Sequence, residues 1–162
     1  MEIILIGMMG CGKSTIGKSL SKELDLEFLD SDKMIENKYQ TTIYNLFKDE
    51  GEKKFRKYER ELLEYDINNK TNFILSTGGG MPINNLNLFK KLGKTIYLKT
   101  LPNVLLDRIK NQNNHRPLYK DDEDFISLLK LREKSYSKAD YIINCNNKTI
   151  EQIIEEIKEV LD

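Results

Sequence analysis

Gly7-Met8-Met9-Gly10-Cys11-Gly12-Lys13-Ser14 decides the reading of this chain. It fits G-x-x-x-x-G-K-[ST] and lies between the apolar run Ile3 to Ile6, a predicted buried strand, and a segment in which Ile16, Leu20 and Leu24 share one helical face. Strand, glycine-rich turn and helix are the context that the pattern requires. The glycines let successive backbone N–H groups converge on an anion, the helix N-terminus adds partial positive charge, and Lys13 sets an ammonium beside the β- and γ-phosphates of ATP. Ser14 is the expected ligand of Mg2+. Gly10, Cys11, Gly12, Lys13, Ser14 and Thr15 are therefore the expected nucleotide-binding residues, Cys11 as a small spacer without a redox role. A plain glycine turn is the alternative.

Outward from this loop, Leu26 to Leu29, Phe73 to Leu75, Ile96 to Leu98 and Tyr141 to Ile143 read as four further buried strands. Helical periods fall between them. Ile43, Leu46 and Phe47 mark one helix ended by Gly51; Phe55, Tyr58, Leu62 and Ile67 mark another; Pro102 opens one that closes near Lys110. In the last helix Thr149 and Gln152 form a capping box ahead of the stripe Ile150, Ile153, Ile154, Ile157, Leu161. The alternation predicts an α/β fold, a five-stranded parallel sheet flanked by helices on both faces, in one domain over residues 1–162. Asn111 to Asp124 is the long segment without a clear period, polar and holding the sole histidine, His115, and a loop of that length is usually disordered or functional.

Twenty-six basic and twenty-six acidic residues balance, so no global field draws nucleic acid or an anionic membrane. Any anion must be caught locally. The chain starts directly on a strand, without the regions of a secretory leader, and no apolar stretch approaches the ~20 residues that span a bilayer. Two cysteines, Cys11 and Cys145, lack metal-ligand spacing. The expectation is a cytoplasmic protein, a monomer by default, with small-molecule substrates.

Asp30 and Asp32 follow the second strand and so emerge at the carboxyl edge of the sheet, where ligands bind. Asp30 is expected to hold Mg2+ through water, and Asp32 to accept a hydrogen bond from an acceptor hydroxyl. The alternative is that Ser31 or Asp32 merely caps a helix beginning near Met34. Only five of the basic residues are arginines, Arg56, Arg60, Arg108, Arg116 and Arg132. Where lysine serves as the generic cation, a guanidinium marks a place that needs two parallel hydrogen bonds to a carboxylate or phosphate. Arg60 reads as a solvated helix residue. Arg116, beside Pro117 in the long polar segment, is expected to fold over ATP and stabilise charge on the transferring phosphoryl group. Gly78-Gly79-Gly80 follows the third strand in sequence and offers bare backbone to a ligand, or else a flexible turn.

Taken together, Gly7 to Thr15, Asp30-Ser31-Asp32, Gly51-Glu52 with Phe55-Arg56 and Glu59, Gly78-Gly79-Gly80, Arg116-Pro117-Leu118, and Arg132 with Tyr136 resemble the shikimate kinase family over essentially the whole chain. The resemblance implies ATP-dependent phosphorylation of the 3-hydroxyl of shikimate, in the route to chorismate and the aromatic amino acids. It also implies a P-loop fold like that of nucleoside monophosphate kinases, with a substrate-binding region near 31–62 and a lid near 111–124. By the same resemblance Arg56 and Arg132 clamp the acceptor carboxylate, Asp32 meets its hydroxyl, Gly78, Gly79 and Gly80 line its pocket, Arg116 is the lid arginine and Arg108 stacks on adenine. Phe55 becomes an apolar wall and Glu59 the partner that orients Arg56. Lys134 stands where the family commonly has proline, and Met81-Pro82 follows the glycines; neither removes a functional group. Lys13, Asp32 and Arg116 are the expected catalytic residues. Two rivals stay open: another small-molecule P-loop kinase, for a sugar acid or nucleoside monophosphate, and a GTP-dependent switch. The second lacks an N-K-x-D guanine motif.

Overall fold

The five apolar runs become strands β1 (Glu2–Ile6), β2 (Glu27–Asp30), β3 (Phe73–Ser76), β4 (Lys94–Lys99) and β5 (Tyr141–Asn144) of one parallel sheet ordered β2-β3-β1-β4-β5. The structure, a computed structural model, describes residues 1–111 and 120–162. β1 lies between β3 and β4, and Ile3, Ile4, Leu5 and Ile6 have no exposed surface, which is why its sequence is a continuous apolar run rather than an alternation.

Helices α1 (Lys13–Leu24), α2 (Ser31–Tyr39), α3 (Ile43–Glu61), α4 (Pro82–Leu92), α5 (Pro102–Lys110), α6 (Asp122–Tyr136) and α7 (Ile150–Leu161) complete the described chain, with a π-helical stretch at Leu62–Ile67. The crossover from β1 to β2 runs one way along the sheet and that from β3 to β4 the other, so right-handed connections place α1 and α4 on opposite faces. α7 packs with α1, and α6 with α4, giving a helical layer on each side. The reversal of direction beside β1 opens a crevice at the carboxyl ends of the strands.

The local rules that shape these elements are visible. Thr149 and Gln152 make the expected capping box, and Ile153, Ile154 and Ile157 are buried below it. Gly51, at φ 81° and ψ 166°, breaks α3 where the sequence ends a helix, and the chain resumes helical form at once. Two expectations need correction. The cap of α2 is neither Ser31 nor Asp32: the helix begins at Ser31, and Asp30 Oδ1 accepts from the N–H groups of Asp32 (3.1 Å) and Lys33 (3.2 Å). The polar segment read as running to Asp124 ends earlier, because Asp122, Glu123 and Asp124 form the first turn of α6, capped by Asp121.

Candidate active site

The glycine-rich loop leaves β1 and turns into α1 at the crevice. Gly10 and Gly12 lie at φ 84° and 96°, a left-handed backbone that side chains rarely adopt. α2, α3, α6 and α7 are all capped by a side chain, whereas α1 starts from Gly12 with no side-chain cap and no acidic residue in its first turn. Its N–H groups and dipole thus remain directed at the crevice, the arrangement that binds an anion. Lys13 is mostly buried and arches over the loop, donating to the carbonyls of Gly7 (2.8 Å) and Met8 (3.0 Å), with Cys11 Sγ at 3.6 Å.

Asp30 and Ser76 are register partners on β2 and β3, which brings their side chains to the start of α1. Ser14 Oγ donates to Asp30 Oδ2 at 2.9 Å and lies 3.2 Å from Ser76 Oγ. Few protein ligands, all hard oxygen, with an open cleft for water, is the donor chemistry that suits Mg2+. Asp30 therefore joins two tasks, one carboxylate oxygen capping α2 and the other facing Ser14. Arg108, on α5, donates to the carbonyl of Gly10 at 3.1 Å. A cleft of about 370 Å³ connects Lys13, Ser14, Asp30 and Asp32 with Gly78, Gly79 and Arg108. Cys145, Lys148, Ile150 and Ile153 also line it; the sequence marks Ile150 and Ile153 only as part of an apolar helix stripe, and the fold, which carries the chain past β5 back toward the loop, brings all four there.

The three consecutive glycines have a steric reason beyond the one their sequence suggests. None has a left-handed φ. A Cβ on Gly78 would stand 2.9 Å from Asp32 Oδ1, one on Gly79 3.1 Å from Arg132 Nη1, and one on Gly80 2.1 Å from Arg56 Nη2. Residues from α2, α3 and α6 are thus gathered around one bare stretch of backbone, and Ser31 Oγ fixes that stretch by accepting the Gly78 N–H at 2.9 Å.

Arg56 is held from two sides. Its Nη1 donates to both oxygens of Glu59 (2.8 and 2.9 Å) and its Nη2 to Glu52 (3.0 Å), while the guanidinium lies over the rings of Phe55 and Phe47. Burial opposes its charge, but Glu59 and Glu52 outweigh that and raise its pKa. Glu59 has no exposed surface, and burial pushes it up to about 7 against the pull of Arg56, with Asp32 adding to the rise. Arg132 differs. It is 4% exposed, and among the described residues no ion pair neutralises it; Nη1 lies 3.6 Å from Met8 Sδ. Burial, reinforced by Arg56, lowers its pKa. A buried guanidinium facing a sulfur retains strong affinity for an added carboxylate. Arg60, by contrast, pairs with Glu64 at 2.8 Å on an exposed surface, as a solvated helix residue would. Arg116 and His115 lie outside the described residues.

An uncapped helix behind a glycine-rich loop, a lysine and hard oxygens beside it, and a cationic pocket one strand away define a P-loop kinase, a phosphotransferase. The chain belongs to the shikimate kinase family, whose model matches residues 9–162. It is 42% identical over 159 residues to a shikimate kinase of Sulfurihydrogenibium sp. (strain YO3AOP1), covering 96% of this chain and 95% of that protein. The structure of shikimate kinase from Acinetobacter baumannii in complex with shikimate superposes with a TM-score of 0.92 at 34% identity, covering 99% of this chain and 92% of the other. That of the Bacteroides thetaiotaomicron shikimate kinase gives 0.90, also at 34% identity, covering 99% and 97%.

Proposed function

We propose that this chain transfers the γ-phosphoryl group of ATP to the 3-hydroxyl of shikimate, with Mg2+, as a cytoplasmic monomer. The observation that carries the acceptor assignment is Arg132, a buried cation without an ion-pair partner among the described residues, standing with Arg56 beside Asp32 along the triple-glycine backbone. Such a pair of guanidiniums suits a carboxylate, and an aspartate between them and the phosphate loop suits a ring hydroxyl. Two unpaired thiols accord with a reducing compartment.

In this reading Lys13 and the N–H groups at the start of α1 bind the β- and γ-phosphates, and Arg56 and Arg132 anchor the acceptor. Asp32 orients the acceptor hydroxyl toward the γ-phosphorus and receives its proton late, because a loose transition state demands little prior deprotonation. Ser14, and Asp30 through water, would hold Mg2+, which when bound neutralises charge on the phosphate oxygens. Arg108 would stack on adenine. Arg116, placed by the family resemblance alone, would close over the transferring group. The test is ADP release from Mg-ATP with shikimate, gluconate and nucleoside monophosphates as competing acceptors. Stimulation by shikimate alone supports the assignment; stimulation by another acceptor keeps the phosphate site and overturns the roles of Asp32, Arg56 and Arg132.

A further inference from the structure

Tyr136 closes the last turn of α6, four residues after Arg132, and therefore lies on the same helical face. It is fully buried, its ring tilted against Tyr97 with centroids 5.1 Å apart. Phenylalanine fills that volume equally well, so the hydroxyl needs its own reason. Its O–H donates to the carbonyl of Gly79 at 2.5 Å and lies 3.7 Å from Met8 Sδ. Both partners are also those of Arg132: Nη1 lies 3.6 Å from the same sulfur, and a Cβ on Gly79 would stand 3.1 Å from that nitrogen. Burial raises the phenol's pKa far above its ordinary value, so the hydroxyl stays a donor throughout the working pH range.

We propose that Tyr136 is a positioning residue for the acceptor site: by tethering the Gly79 carbonyl and backing Met8, it fixes the surfaces against which the Arg132 guanidinium rests and so aims Arg132 at the acceptor carboxylate. The role follows from what Arg132 lacks. Arg56 is oriented by Glu59 and Glu52, whereas Arg132 has no carboxylate to orient it among the described residues. A carboxylate on Arg132 as well would leave the acceptor no guanidinium without an acidic partner. A thioether is only a weak acceptor and leaves the Arg132 N–H groups free. The hydroxyl of Tyr136, which also hydrogen-bonds the Arg132 guanidinium itself, supplies directly and through Gly79 and Met8 the rigidity that an ion pair supplies for Arg56. Met8 also carries a carbonyl bonded by Lys13, so one residue touches both the phosphate-binding and the acceptor-binding cations.

The proposal rests on the acceptor reading above, and steady-state kinetics with Mg-ATP and shikimate separate the two. If the native chain does not use shikimate, the acceptor reading fails and this inference with it. If it does, Tyr136→Phe is expected to raise the acceptor KM roughly tenfold while the ATP KM stays within about twofold. In an Arg132→Ala background the same change is expected to have no further effect on the acceptor KM, since the tyrosine acts through the arginine. A purely structural hydroxyl would lower Tm and shift both KM values alike, or raise the acceptor KM equally in both backgrounds; either result overturns the proposal. Met8→Leu, nearly volume-conserving, serves as the second variant should Tyr136→Phe not fold: the acceptor KM rises alone if the sulfur helps to seat Arg132, and an unchanged value contradicts the proposal.

Discussion

Gly80→Ala isolates the claim that the triple glycine exists to admit the acceptor-binding side chains. The backbone of Gly80 is not left-handed, so alanine fits it without strain and the whole effect falls on what the new methyl meets. That is Arg56, with Nη2 at 2.1 Å, Cζ at 2.5 Å and Nη1 at 2.7 Å from the built Cβ. The guanidinium must move, and moving it strains its bonds to Glu59, which is fully buried. Overpacking of this kind costs about 1–3 kcal/mol, and in a chain of this size that lowers Tm by roughly 3–10 °C. A displaced Arg56 also loses its charge-assisted bonds to the acceptor carboxylate, worth about 1.5–3 kcal/mol, or roughly 10- to 150-fold in acceptor KM. The assay is ADP release at saturating Mg-ATP with shikimate varied, beside a thermal melt. Gly93→Ala is the control: its Cβ would stand 2.3 Å from the backbone oxygen of Glu2, at the opposite end of the sheet, so stability should fall while both KM values hold. A Gly80→Ala enzyme with an unaltered acceptor KM would refute the placement of Arg56 in the acceptor site.

Glu59 predicts a pH dependence. It holds Arg56 as a carboxylate, and burial has raised it to about 7, so acidification through that value protonates it and leaves Arg56 anchored by Glu52 alone. The acceptor KM should rise roughly tenfold between pH 8 and pH 6, the ordinary effect of a required ionised group, and Glu59→Gln should raise it at pH 8 and flatten the profile; a Gln variant that keeps the native profile would assign the titration to another group. Asp30→Ala removes both the cap of α2 and the partner of Ser14. Urea unfolding should show a loss of about 1 kcal/mol, and the Mg2+ concentration for half-maximal turnover should increase.

The phosphate half of the site was legible because its parts are contiguous: the loop carries its own spacing, and β1 and α1 carry strong apolar patterns. The acceptor half is assembled from α2, α3, α6 and the turn after β3, and no local pattern reports that these meet. Family resemblance, rather than period, pointed to Arg56 and Arg132. α6 lacks a clean apolar stripe for a related physical reason: its buried face includes Arg132, in a position that core helices usually give to leucine. The glycines 78–80 read as a place for ligand backbone contacts; that Asp32, Arg132 and Arg56 also pack on them, a second demand for the missing Cβ atoms, was not legible in the sequence. The capping role of Asp30 was hidden because the same residue also faces Ser14.

The most direct test of the account compares shikimate with its methyl ester as acceptors at fixed Mg-ATP, measuring initial rates of ADP release. If Arg56 and Arg132 bind the acceptor through its carboxylate, shikimate stimulates turnover strongly and the ester requires a concentration higher by roughly one to two orders of magnitude. Equal KM values for the two would contradict the cationic clamp, and an absence of stimulation by shikimate would contradict the proposed reaction itself.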